Sequence, residues 1–269
     1  MGKRHDKLGI KQTIQKPWMD RVVHMMLAGV SEKELRSELD AFLITQLQSG
    51  GTGERGKKTY GMAIGILASW FSPDSDLIGF RDDALNLARK LPPERWLPLH
   101  WAVISASYPF WFNVARQVGR LLNLQEQMTQ TQVFARLKEQ YGDREVVARN
   151  ARYTLRSLVA WGALKDSDTK GCYEKTAEVA VTDSDLAILM FESILLATPD
   201  AKLALGLLLN NPAYFPFELP VLTGDFISQH SERIEVIRYG LDDELLKLKP
   251  HCCTTEYGKS TKTKWHRND

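Results

Sequence analysis

The stretch that most constrains this chain runs from Thr129 to Asp183, and its centre is REVVARNARYTLRSLVAWGAL, Arg144 to Leu164. Val147, Ala151, Leu155, Leu158 and Val159 recur at helical spacing, flanked by Tyr153 and Trp161, so one side of a helix is buried. Arg149, Arg152 and Arg156 fall on a largely separate face, with Asn150 beside them. Upstream, TQVFARLKEQYGD predicts a shorter helix, with Val133, Phe134 and Leu137 as its stripe and Gly142 as its stop. Downstream, Gly162 breaks the long helix, Lys165 to Lys170 is polar and loop-like, and CYEKTAEVAV alternates as a strand does. The order is short helix, turn, basic helix, β-element.

That order resembles the winged helix-turn-helix superfamily, over roughly one fifth of the chain and by element order rather than by a residue motif. The resemblance implies a recognition helix centred on Arg144–Arg156, a strand connection or wing at Asp166–Lys170, and wing strands over Tyr173–Val181. Winged helices bind duplex DNA, bind proteins or pack as structural modules, so the fold alone does not decide function.

Charge sharpens the question. Between Arg116 and Lys165 there are nine Arg or Lys against four Asp or Glu, while the whole chain is only +2. Arginines on one helical face can meet phosphates or reach base edges in the major groove, and an asparagine is chemically suited to adenine. Arg144, Arg149, Asn150, Arg152 and Arg156, with Lys170 and Lys175 from the wing, are therefore the candidate nucleic-acid contacts. The alternative is an ordinary solvated face, with Glu145 pairing to Arg149 at i,i+4.

The remainder divides at changes of composition. Lys3 to Lys16 predicts a flexible basic arm, and residues 17–125 a helical domain. Pro17 opens one helix; Ser31 with Glu34 forms a capping box for the next. SGGTGERGKKTYG approaches a phosphate-binding loop, but Lys58 stands where a hydroxyl is needed and no strand precedes it. It predicts a basic linker whose Lys57 and Lys58 make secondary nucleic-acid contacts. Thr59 to Phe71 and Gly79 to Lys90 predict further helices, and neither is long enough to cross a bilayer. The rings of Trp96, Trp101, Tyr108, Phe110, Trp111 and Phe112 predict core at the junction with residues 126–183, because basic residues flank them rather than interleave with them.

Residues 184–248 predict a C-terminal helical domain suited to a protein partner or homodimer, including a helix over Phe226 to Val236 and another ending at Leu248. The polar tail, 249–269, holds His251, Cys252, Cys253 and His266, but adjacent cysteines lack the spacing of a zinc site. No cofactor or metal is expected. The basic, polar N-terminus is not an apolar signal segment and points to the cytoplasm. No G-x-S-x-G, H-E-x-x-H or dinucleotide fingerprint occurs, and no acid, base or nucleophile stands out. The sequence therefore predicts a mainly α, multi-helical protein with an embedded winged-helix module and a small β-hairpin. Its expected work is noncatalytic: an accessory or regulatory protein that binds double-stranded DNA without membrane insertion, or else a protein-interaction scaffold.

Overall fold

The computed structural model describes residues 4–5, 7–46, 56–239 and 243–249. It is mainly α, with eleven α-helices among the described residues. Six precede the first strand: α1 (Lys16–Leu27), α2 (Glu32–Ile44), α3 (Lys57–Phe71), α4 (Ile78–Lys90), α5 (Leu97–Ser107) and α6 (Pro109–Leu122). Then come β1 (Gln127–Thr129), α7 (Gln130–Tyr141), α8 (Glu145–Ala160), β2 (Leu164–Asp166), β3 (Cys172–Lys175) and β4 (Val179–Ala180). The chain continues through α9 (Ser184–Ala197), β5 (Lys202–Ala204), α10 (Leu205–Leu209), β6 (Phe217–Glu218), α11 (Gly224–His230), β7 (Ile234–Tyr239) and β8 (Asp243–Leu248).

Local chemistry starts several of these helices. Ser31 and Glu34 form a reciprocal capping box at α2, and Thr129 and Gln132 do the same at α7. Asp183 caps α9 by accepting from the Leu186 amide. Helix α5 is buried on every side, and α9 nearly so; the two pack on each other. Around them the aromatic run forms core as its composition predicts. Trp101 meets the edges or faces of Trp111, Trp161 and Phe217 within about 6 Å, a favourable tilt for rings.

Two segments share one arrangement. In the first, α6, β1, α7, α8, β2 and β3 follow one another, and the strands form an antiparallel sheet in the order β1-β3-β2. In the second, α9, β5, α10, α11, β7 and β8 follow in the same sequence, with the antiparallel order β5-β8-β7. Each unit is thus helix, strand, helix, helix, strand, strand, with the last strand in the middle. Residues 210–223 lengthen the middle connection of the second unit; β6 from this segment pairs in parallel with β4, and its Pro212–Tyr214 turn packs on α6. Gly119 permits that approach, since a Cβ there would lie 1.9 Å from the Pro212 carbonyl oxygen.

Two expectations change. The described part of the N-terminal arm is a packed strap, not a flexible one. Ile10 and Ile14 are fully buried, the Ile14 amide donates to Ser157 Oγ at 2.9 Å, and Trp161 Nε1 donates to the Ile14 carbonyl at 3.0 Å. The C-terminal region is not wholly helical either: the residues expected to extend helices to Val236 and Leu248 form β7 and β8. Their pairing satisfies the backbone along six residues of each strand and buries Ile234 and Leu246, which outweighs the helix preference of ELLKL. The polar tail beyond Lys249 and linker residues 47–55 lie outside the described residues.

Candidate nucleic-acid interface

Helix α8 buries Val147, Ala151, Leu155 and Leu158, as its periodicity predicts. At about 100° per residue, positions 145, 149, 152 and 156 then share one stripe on the opposite side. Arg149, Arg152 and Arg156 are all exposed there. The α7–α8 turn at residues 142–144 places this stripe, and Thr129 fixes where α7 begins. Facing the stripe is the β2–β3 connection. Gly171, at φ +80°, lets that loop turn, and its carbonyl accepts from the Gln130 amide at 2.8 Å, which fastens the loop to the start of α7. A cleft of about 550 Å³ separates helix from loop, lined by Arg152, Arg156, Asp166, Asp168, Lys170 and Tyr173 among others.

The cations there are not equivalent. Arg156 is held by Asp166 at 2.5 Å, and that bond outweighs burial to strengthen its hold on the proton. Arg152 lies over the Phe134 ring, 5.8 Å from its centre. Among the described residues, Arg149, Arg152 and Lys170 are exposed and have no carboxylate partner. The i,i+4 pair between Glu145 and Arg149 is not formed. These three side chains are therefore available to an external anion, whereas Arg156 must first give up Asp166.

The structure brings together only part of the predicted set. Asn150 is 1% exposed: it sits about 160° around the helix from Arg152, among Ala151 and Thr154, and does not reach a groove. Lys175 pairs with Glu178 and lies in a cleft with Leu122 and Asn123, away from the arginine stripe. Arg144 precedes α8 as its N-cap, where its Nε donates to the Tyr141 carbonyl at 3.2 Å, and lines a different cleft with Arg116. Lys57 and Lys58 are exposed in the first turn of α3, a helix that packs on α1, α2 and α5; they are helical residues rather than linker. Sequence reasoning missed Arg116 and Asn113 of that other cleft because nothing local distinguishes a paired arginine from an unpaired one.

No cluster of three or more His, Cys, Asp or Glu poised for a metal occurs among the described residues, and no described helix is long and apolar enough to cross a membrane. No protein-family model, curated protein or solved structure matches this chain.

Proposed function

We propose that residues 109–175 form a winged helix-turn-helix and that the chain is a noncatalytic accessory or regulatory protein binding duplex DNA through α8. In this reading α6 is the module's first helix, α8 the recognition helix and residues 167–171 the wing. The observation that carries it is the exposed Arg149–Arg152 stripe beside Lys170, three cations without carboxylate partners on one side of a helix long enough to enter a major groove. Arg156 ties the helix to the end of β2, at the base of the wing, through Asp166.

Salt-resolved binding to mixed duplex DNA tests this directly. Wild type should bind with an affinity that falls steeply with salt, and Arg149→Ala/Arg152→Ala/Lys170→Ala should flatten that dependence by about 0.9 per lost phosphate contact. Absence of binding by the folded wild-type chain at low salt would overturn the reading.

A scaffold or homodimer role is the second reading, favoured by one observation. The C-terminal unit leaves Leu207, Val221, Ile237 and Tyr239 exposed, apolar area suited to a protein partner.

A further inference from the structure

An arginine taken from water keeps its charge, so burial without a counter-ion is costly unless some other group compensates. Arg116 on α6 is such a case. It has no carboxylate partner among the described residues, and its Nε is buried without a hydrogen-bond partner. Its Nη2 reaches Gln140 Oε1 only at 3.4 Å, a long contact, and the guanidinium lies over the Phe112 ring at 5.5 Å. Burial, and behind it the nearby Arg120, pull the guanidinium below its ordinary value.

The described residues around it supply donors and no acid. A cleft of about 490 Å³ opens between α6, the α7–α8 turn and residues 197–199, and neither Asp nor Glu is among the described residues lining it. Arg144 closes its outer side with Nε already engaged on Tyr141, leaving the rest of the fork for a ligand. Tyr141 Oη accepts from Asn113 Nδ2 at 2.6 Å, so its own hydrogen remains to be donated. Phe112, Pro109 and Pro199 provide apolar walls. Two forked cations and a phenol converging on one space match an oxyanion with three acceptor oxygens better than any neutral ligand. The volume also exceeds what a bare ion needs and falls in the range of small-molecule sites.

We propose that this cleft binds a phosphate group, with the half-buried Arg116 as its anchor and Arg144 as its outer clamp. The ligand sits against Tyr141 and Arg144, the two residues bracketing the α7–α8 turn, and so touches the base of the arginine-bearing helix. The proposal stands on Arg116 and does not require the DNA reading of Arg149, Arg152 and Lys170. The phosphate can belong to a free phosphorylated small molecule or to a nucleic-acid backbone, and the test separates the two.

Thermal unfolding of the full chain is measured with inorganic phosphate and with AMP against chloride at matched ionic strength, alongside binding to a short DNA duplex. A saturable rise of about 2–4 °C with phosphate or AMP is expected. Arg116→Met, which keeps the stem over Phe112, abolishes the rise; Arg144→Gln, at an exposed position, demands about tenfold more ligand for the same rise. Loss of the rise in Arg116→Met with duplex affinity retained identifies a free phosphorylated ligand. Loss of both identifies a backbone phosphate. No rise in wild type beyond the chloride control, or an undiminished rise in both variants, overturns the proposal.

Discussion

The units 109–175 and 184–248 pass through the same order of elements and the same strand order, yet differ sharply in charge. The first carries eleven Lys or Arg against seven Asp or Glu; the second carries four against ten. The helices at corresponding positions differ as well. Helix α8 is sixteen residues long and shows an arginine stripe, whereas α11 has seven residues and carries Asp225 in its first turn. The arginines of the second unit are occupied: Arg233 by Glu192 and Asp83, Arg238 by Asp225 and Glu244. One topology thus supports two surfaces, and the distribution of counter-ions separates them.

The sharpest way to break the comparison is at the seam between the units. Gly119→Val should destabilise the protein by about 3 kcal/mol or more, because the Pro212 backbone, not a flexible side chain, blocks the new Cβ. Denaturant titration should show a lower midpoint. A second transition appearing instead would mean that each unit folds alone.

Next in size is the ion pair that ties the second unit to the helices before it. Glu192 is 4% exposed, and Arg233 reaches it through Nε at 2.6 Å and Nη2 at 3.0 Å while also holding Asp83 on α4. Arg233→Met should cost about 2–3 kcal/mol, less than for a wholly buried pair because part of Arg233 meets solvent. Adding Glu192→Leu should restore part of that loss, since the carboxylate that Arg233 neutralises is removed with it; thermal unfolding of the single and double variants measures it.

The charge difference has its own test. Arg149→Ala/Arg152→Ala/Lys170→Ala should lower duplex affinity by tenfold or more and reduce the salt slope by about 3. The second unit's lysine pair Lys202→Ala/Lys247→Ala should leave both nearly unchanged. Equal losses from the two sets would erase the distinction drawn between the units.

The smallest effect concerns α5, on which both units lean. Burial holds the His100 imidazole below its ordinary value, outweighing the hydrogen bond and charge of Asp20, while Lys16 acts with burial. The unfolded imidazole takes a proton first as pH falls, so this contribution is complete above about 6.5 and is lost as pH descends through the folded value. Its slope is at most about 1.4 kcal/mol per pH unit. Asp20 acts at lower pH: burial pushes its carboxyl up, but the bonds and charges of His100 and Lys16 together hold it below its ordinary value. His100→Gln should flatten the stability profile between pH 6.5 and 5 while keeping a donor for Asp20.

Much of the helical framework was legible because its signals are local. The Ser31–Glu34 and Thr129–Gln132 caps, the Val147–Leu158 stripe and the apolar run of α9 each lie within a few turns of chain. Asn150 was assigned to the arginine face, although counting turns places it with Thr154 in the core rather than with the arginines. The strands of the second unit were harder. ELLKL suits a helix in isolation, and only its central place between β5 and β7 makes it a strand.

For the site, the sequence by itself determined that α8 would bury one face and present Arg149, Arg152 and Arg156 on another, since helical period and residue polarity settle both. Tertiary structure alone decided which cations keep their charge unanswered. Counter-ions arrive from distant elements: Asp83 reaches Arg233 across 150 positions, while no acid among the described residues reaches Arg116 in its cleft. A pairing is a distance in space, and chain separation does not set it.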